Sequence, residues 1–172
     1  MQAGVKPRIE ADISRLRPWV AVSAVVGALL LQAYLPLFSP YANMADLPLL
    51  VTIYLALLRR NPVAGLTLGM IIGLLQDSLS HEPVGLYGII KTVIGYICSS
   101  LTTVLEVESL AARAVLVFFF YVMHQFFYWT VQRALLSQSA VFVWQRTLLL
   151  AAINTLLAVA VYRLLDRFRE RL

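Results

Sequence analysis

The chain has 172 residues, of which 60% are hydrophobic and 13% are charged, and its mean hydropathy is +0.80. Soluble proteins contain roughly 45 to 50% apolar and about 25% charged residues, so the composition excludes a water-soluble monomer and favours a membrane protein. The formal net charge of +5 comes from Lys and Arg that cluster at the ends of apolar runs without forming a basic face interleaved with aromatics, which excludes nucleic-acid binding.

Six apolar runs separated by short polar breaks predict an all-α, polytopic membrane protein with a single integral membrane domain. The predicted spans are 19–38, 44–58, 63–79, 84–105, 110–136 and 141–165. A run of 20 residues at about 1.5 Å per residue matches a hydrocarbon core of about 30 Å. The second span is the weakest, because it is short and carries Asp46 and Pro48 near its start.

The distribution of basic residues predicts that both termini are cytoplasmic. Six spans place the termini on one side, and only Arg133 and Arg146 fall on the other, with Lys91 inside a span. Residues 1–17 form a charged leader with no apparent signal-peptide cleavage site, and residues 166–172 form a basic tail. Within the leader Ile9, Ile13 and Leu16 suit either a short interfacial helix or a solvated segment.

Small residues recur along one side of two predicted helices. Gly65, Gly69 and Gly73 are spaced every four residues in the third span, and this spacing predicts a groove where another helix approaches closely. The partner helix belongs either to this bundle, which we favour, or to another protein. Ala24 and Ala28 in the first span form a weaker stripe with the same two interpretations.

Four polar residues within the spans are expected to form intramembrane pairs. A lone ionised group in a bilayer costs at least a few kcal/mol, so it is normally paired or functional. We expect Asp77 to pair with Lys91 and fix the third helix against the fourth, with a ligand or proton-path role as the less favoured alternative. His124 and Asn154 are expected to hydrogen-bond to each other between the fifth and sixth helices.

No catalytic or metal-binding arrangement is visible in the sequence. An aspartyl protease would need a second carboxylate facing Asp77, and a serine protease would need a serine paired with a histidine. The loop dipeptide His81-Glu82 lacks the helical spacing of a zinc site, and Cys98 has no partner cysteine in the chain. We therefore expect neither an enzyme nor a bound cofactor.

Four segments around the third and fourth spans resemble the rod shape-determining protein MreD family. The matching segments are 60–69, 73–77, 83–87 and 92–96, which read RNPVAGLTLG, GLLQD, PVGLY and TVIGY. The length, six predicted spans, cytoplasmic termini and short second helix also agree with that family.

The resemblance implies a non-enzymatic membrane scaffold or regulator of the bacterial cell-elongation machinery, which directs peptidoglycan synthesis and rod shape. It implies a location in the bacterial cytoplasmic membrane and a complex with an MreC-like bitopic protein. MreB, RodA and a class B penicillin-binding protein are implied as further associates.

The MreD family is also similar in fold to the substrate-binding subunits of energy-coupling-factor transporters. In those subunits an alanine stripe on the first helix docks a coupling subunit, and Ala24 with Ala28 has that spacing. The alternative function is therefore the substrate-binding subunit of a transporter for a small, vitamin-like molecule. Such a subunit should have a pocket near the outer face lined by convergent polar groups, whereas a core filled by Leu, Ile and Phe would exclude it.

Overall fold

Six helices form at the six apolar runs. The computed structural model describes residues 15–38, 44–80, 83–105, 107, 109–134 and 141–170. Apart from two strands of two residues each, this part of the chain is helical. The helices are α1 (Pro18–Phe38), α2 (Leu47–Leu58), α3 (Pro62–Leu79), α4 (Leu86–Leu101), α5 (Leu110–Ala134) and α6 (Trp144–Asp166).

Four of the helices, α1, α3, α5 and α6, are long and apolar enough to cross a membrane. The other two are shorter, with 12 residues in α2 and 16 in α4. At about 1.5 Å per residue α2 is only about 18 Å long, well short of a hydrocarbon core of about 30 Å. Large apolar side chains are exposed on all four long helices, as expected for surfaces that face lipid.

Helix α2 is the centre of the bundle. Every residue from Pro48 to Leu57 is buried, and the other five helices all contact α2. The side chains of α2 are apolar on all sides, which is typical of a helix that is enclosed by protein. A short helix is acceptable here because its ends lie against other helices and not against lipid.

The helix starts follow from local sequence. Asp46 caps α2 by accepting a hydrogen bond from the Leu49 backbone N–H at 3.0 Å, and Asn61 caps α3 through the N–H of Val63 at 3.0 Å. Helix α4 begins after Gly85, whose φ of 98° lies in the left-handed region that favours glycine. These caps fix where the connecting turns reverse the chain.

The leader and the tail meet in a short antiparallel β pair. Arg15–Leu16 (β1) pairs with Arg169–Glu170 (β2), and Leu16 is buried. A leader helix that includes Leu16 is therefore wrong, because that residue is in a strand paired with the tail. Ile9 and Ile13 lie outside the described residues. The β pair marks what we call the terminus end of the bundle.

An ion pair between a buried arginine and a partly exposed aspartate joins helices near the terminus end. Arg113 at the start of α5 donates from one guanidinium nitrogen to both carboxylate oxygens of Asp166 at the end of α6, each at 3.0 Å. The Tyr54 hydroxyl from the end of α2 donates to the same carboxylate at 2.8 Å. Three helices are thus joined at one carboxylate, a contact that the sequence analysis did not predict.

Helices α3 and α4 form the most extensive interface, and the glycine groove lies inside it. A Cβ atom added at Gly69 would overlap the backbone carbonyl of Lys91, and one added at Gly73 would lie 2.7 Å from the Cα of Gly88. A Cβ atom added at Gly65 would likewise overlap the Gly95 carbonyl and the Ser99 side chain. The partner of this groove is therefore α4 of the same bundle.

The alanine stripe of α1 also faces inward. Ala28 is buried and Ala24 packs against the core cluster. Of the two interpretations of this stripe, the structure favours packing within the bundle, since Ala28 is buried and Ala24 is partly buried against the core. The opposite side of α1 carries exposed apolar side chains at Val22, Val26 and Leu30, spaced every four residues.

Candidate functional site

The N-terminus of α2, at the end of the bundle opposite the termini, is held by polar side chains from other helices. We call this group the Asp46 cluster; it consists of Gln32, Asp46, Lys91, His124 and Asn154, one residue from each of α1, α4, α5 and α6 around the α2 cap. Because α2 is apolar and buried, its first backbone N–H groups need partners from elsewhere. The cluster supplies them.

Lys91 is the centre of the charge in this cluster. Its side chain is 0% exposed, and its Nζ atom lies 3.0 Å from Oδ1 of Asp46. The predicted pairing of Lys91 with Asp77 is wrong. Helix α2 runs parallel to α4, so its capping carboxylate reaches the depth of Lys91, while Asp77 is committed to the start of α4.

Asp77 stabilises the N-terminus of α4. Its two carboxylate oxygens accept hydrogen bonds from the backbone N–H groups of Gly85 at 3.0 Å, Tyr87 at 2.9 Å and Gly88 at 2.9 Å. A carboxylate is favourable there because the first N–H groups of a helix have no internal partners and carry partial positive charge. The Asp77 carboxylate therefore joins α3 to α4 by binding backbone N–H groups at the start of α4, and not by pairing with a charged side chain.

Asn154 and Gln32 fix the backbone that leads into α2. The Oδ1 atom of Asn154 accepts from the Asp46 N–H at 2.9 Å, and its Nδ2 atom donates to the Met44 carbonyl at 2.7 Å. Oε1 of Gln32 accepts from the Leu47 N–H at 3.0 Å. The predicted hydrogen bond between Asn154 and His124 is wrong, because the amide is fully used by this backbone and by Leu150.

His124 faces the same carboxylate from another helix. Its Nε2 atom lies 3.6 Å from Oδ2 of Asp46, and its ring stacks on that of Tyr87 with an interplanar angle of 3°. Within the described residues, neither ring nitrogen of His124 has a hydrogen-bond partner, although the side chain is buried. The ring is therefore positioned by packing on Tyr87 and by its contact with the Asp46 carboxylate.

A cavity of about 440 Å³ adjoins the Asp46 cluster. It lies between α5 and α6 and extends to Gln32, Gln76 and Tyr87. Its wall contains amides, phenols, one imidazole and one guanidinium, together with aromatic rings. A core filled by Leu, Ile and Phe would have excluded a small-molecule-binding subunit. This end of the bundle contains a polar cavity instead.

The described residues contain no group of three or more His, Cys, Asp and Glu side chains that could hold a metal ion. The one free cysteine, Cys98, is buried with its Sγ atom 3.7 Å from the Ile53 carbonyl. The Asp46 cluster itself provides hydrogen bonds and a charge pair between protein groups.

The chain matches the model of one known protein family. The family model for the rod shape-determining protein MreD matches residues 14–168, nearly the whole chain. The chain belongs to the MreD family. No curated protein and no solved structure matches it. Membership of this family gives the chain a role in rod shape determination. Family membership and the four long apolar helices together identify the chain as a membrane protein.

The MreD family resemblance was carried by residues that the structure places around α3 and α4. Gly65, Gly69 and Gly73 bring the helices together, and Asp77 caps α4 across the turn. In this MreD family member, these residues serve the packing of α3 against α4 and the capping of α4. The sequence analysis missed Asp46, which could have been recognised as a carboxylate at a helix cap within an apolar run.

Proposed function

We propose that the chain is a non-enzymatic scaffold or regulator of the cell-elongation machinery in the bacterial cytoplasmic membrane, and that it acts by forming a complex with an MreC-like bitopic protein. Membership of the MreD family supports the cellular role. The observation that carries the mode of action is the open side of α1, the least buried of the four long helices.

The geometry of α1 suits a single partner helix. Its inward side packs mainly on α2 and less extensively on α3. Its outer side presents Val22, Val26 and Leu30 as a straight apolar ridge. In lipid, helices associate through packing and not through the hydrophobic effect, and this exposed side of α1 is the surface on which we place the bitopic helix.

The proposed topology has six spans with both termini in the cytoplasm. The β pair holds the leader and tail together at the terminus end, where Leu16 lies opposite Arg169 and Arg17 follows in the chain. A basic cytoplasmic rim would favour anionic lipid and could meet a filament protein such as MreB. RodA and a class B penicillin-binding protein are proposed as further members of the complex.

Co-expression with the MreC-like protein should yield a complex that survives size-exclusion chromatography in mild detergent. To locate the interface, Cys98 is first replaced by alanine, since it is the single cysteine of the chain. Val26→Cys on α1 should then cross-link to a cysteine in the partner's membrane helix. Leu156→Cys on α6 is the matched control, because it is also exposed and lies at a similar distance from the terminus end.

Elution of the two proteins as separate subunits would contradict the proposed complex. Equal cross-linking from Val26→Cys and Leu156→Cys would contradict the assignment of the interface to α1 while leaving the complex intact.

A second candidate function is a small-molecule-binding subunit of a membrane transporter, with the fold of the energy-coupling-factor subunits. The polar cavity beside the Asp46 cluster favours it, because a binding subunit needs a preformed pocket with convergent polar groups. Co-purification of an ATPase and a coupling subunit would be the expected result for this function.

A further inference from the structure

The cavity beside the Asp46 cluster contains buried polar atoms without partners. Gln76 is 6% exposed and His124 is 2% exposed, and both line the cavity. Within the described residues, Oε1 of Gln76 and both ring nitrogens of His124 make no hydrogen bond. An unpartnered buried polar group costs about 1 to 3 kcal/mol, so a ligand that supplies a donor and an acceptor here removes a penalty.

The surrounding wall is rich in amides held in fixed positions. The Nε2 atom of Gln125 donates to the Tyr121 hydroxyl at 2.9 Å, and that of Gln132 donates to the Tyr128 hydroxyl at 2.9 Å. Each amide carries an acceptor as well as donors, so the wall can satisfy a ligand with many hydrogen-bonding groups around its edge.

Aromatic rings form the other part of the wall. The rings of Tyr87, His124 and Tyr128 are nearly parallel, with interplanar angles of 3° to 22°. Trp129 lies edge-on to Phe142 with their ring centroids 5.9 Å apart. Aromatic walls of this kind cover the apolar faces of a ligand while amides bind its edges.

The charge of the cavity favours a neutral ligand. The Asp46 carboxylate that borders it is paired with Lys91, and neither charge is left to neutralise a ligand ion. Arg146 contributes one cation, but its side chain is exposed, so water and salt screen its charge. A sugar ring is one kind of neutral molecule with polar edges and apolar faces.

We propose that this cavity binds a neutral sugar that carries an acetamido group. The acetamido N–H suits the unpartnered Oε1 of Gln76, and the acetamido carbonyl suits an N–H of His124. The sugar ring lies against the aromatic wall, and the glutamine amides and tyrosine hydroxyls bind its hydroxyl groups. A volume of about 440 Å³ lies within the range of small-molecule pockets.

This inference goes beyond the proposed scaffold function, and it concerns the same pocket that the second candidate function requires. The two can fail separately. Co-purified transporter subunits test the function, whereas a titration of the purified chain tests the ligand. The titration does not bear on the proposed complex with a bitopic protein, which depends on α1.

The test is a fluorescence titration of the full chain with N,N′-diacetylchitobiose, a neutral disaccharide with two acetamido groups. Replacing Trp19 and Trp144 by phenylalanine leaves Trp129, in the cavity wall, as the only tryptophan. We expect a saturable change in Trp129 emission. Cellobiose, which has hydroxyls in place of the acetamido groups, should bind at least about tenfold more weakly.

Gln76→Leu should weaken chitobiose binding at least about tenfold without lowering the melting temperature, because it removes a buried polar atom that has no partner among the described residues. Gln145→Leu is the matched control, since Gln145 is exposed on α6 and does not line the cavity. If Gln76→Leu does not fold, His124→Phe removes both ring nitrogens and serves the same purpose. No emission change with chitobiose, equal binding of cellobiose, or full binding by the folded cavity variants would overturn the proposal.

Discussion

Replacing Gly69 by alanine is expected to lower the melting temperature of the purified bundle and to reduce its folded yield. A methyl group at this position would overlap the carbonyl group of Lys91 in α4. Because that obstacle is backbone, no side chain can rotate away, and the two helices must move apart. Overpacking of a close interface costs about 1 to 3 kcal/mol, and here the movement also displaces Lys91 from Asp46.

Gly27→Ala is the matched control for this change. Gly27 lies within α1, and a Cβ atom added there meets nothing within 4 Å. Both replacements add the same methyl group and the same helix propensity, so the difference between them isolates the α3–α4 contact. Equal melting temperatures for the two variants, measured by thermal unfolding in detergent, would show that α3 and α4 are not in close contact.

The second large effect is expected from the Lys91 and Asp46 pair. Lys91→Met leaves the Asp46 carboxylate buried without its cation, and Asp46→Asn leaves the ammonium group without its anion. Removing one partner of a buried ion pair typically costs about 3 to 5 kcal/mol. Asparagine keeps a side-chain oxygen for the Leu49 N–H, so the second variant retains the cap of α2.

The double variant distinguishes charge pairing from simple damage. With both charges removed, Lys91→Met with Asp46→Asn should be more stable than either single variant, because no uncompensated charge remains. The measurement is a double-mutant cycle on the free energy of unfolding in detergent. Losses that simply add would contradict a direct interaction between the two side chains.

Sequence reasoning succeeded where the information is local. The four-residue spacing of Gly65, Gly69 and Gly73 defines one face of a helix, which predicts the close approach of another helix there. The caps at Asn61 and Gly85 are also local, although the sequence analysis did not predict them. The six apolar runs predicted where helices form for the same reason.

Sequence reasoning failed where partners come from distant elements. The choice of Asp46 over Asp77 for Lys91 depends on α2 lying parallel to α4, which no local pattern records. Asp77 was paired with a charge because backbone N–H groups are invisible as partners in a sequence. A pocket was expected only as a requirement of the alternative function. Its lining could not be predicted, because Gln32, Gln76 and Gln125 lie on three different helices.

The central claim is that this MreD family member works by assembling a membrane complex for cell elongation. The most direct test is affinity purification of the tagged chain from native membranes in mild detergent, followed by mass spectrometry of the proteins that stay bound. The account predicts recovery of an MreC-like bitopic protein together with wall-synthesis enzymes. Recovery of an ATPase and a coupling subunit in their place would contradict it and assign the chain to transport.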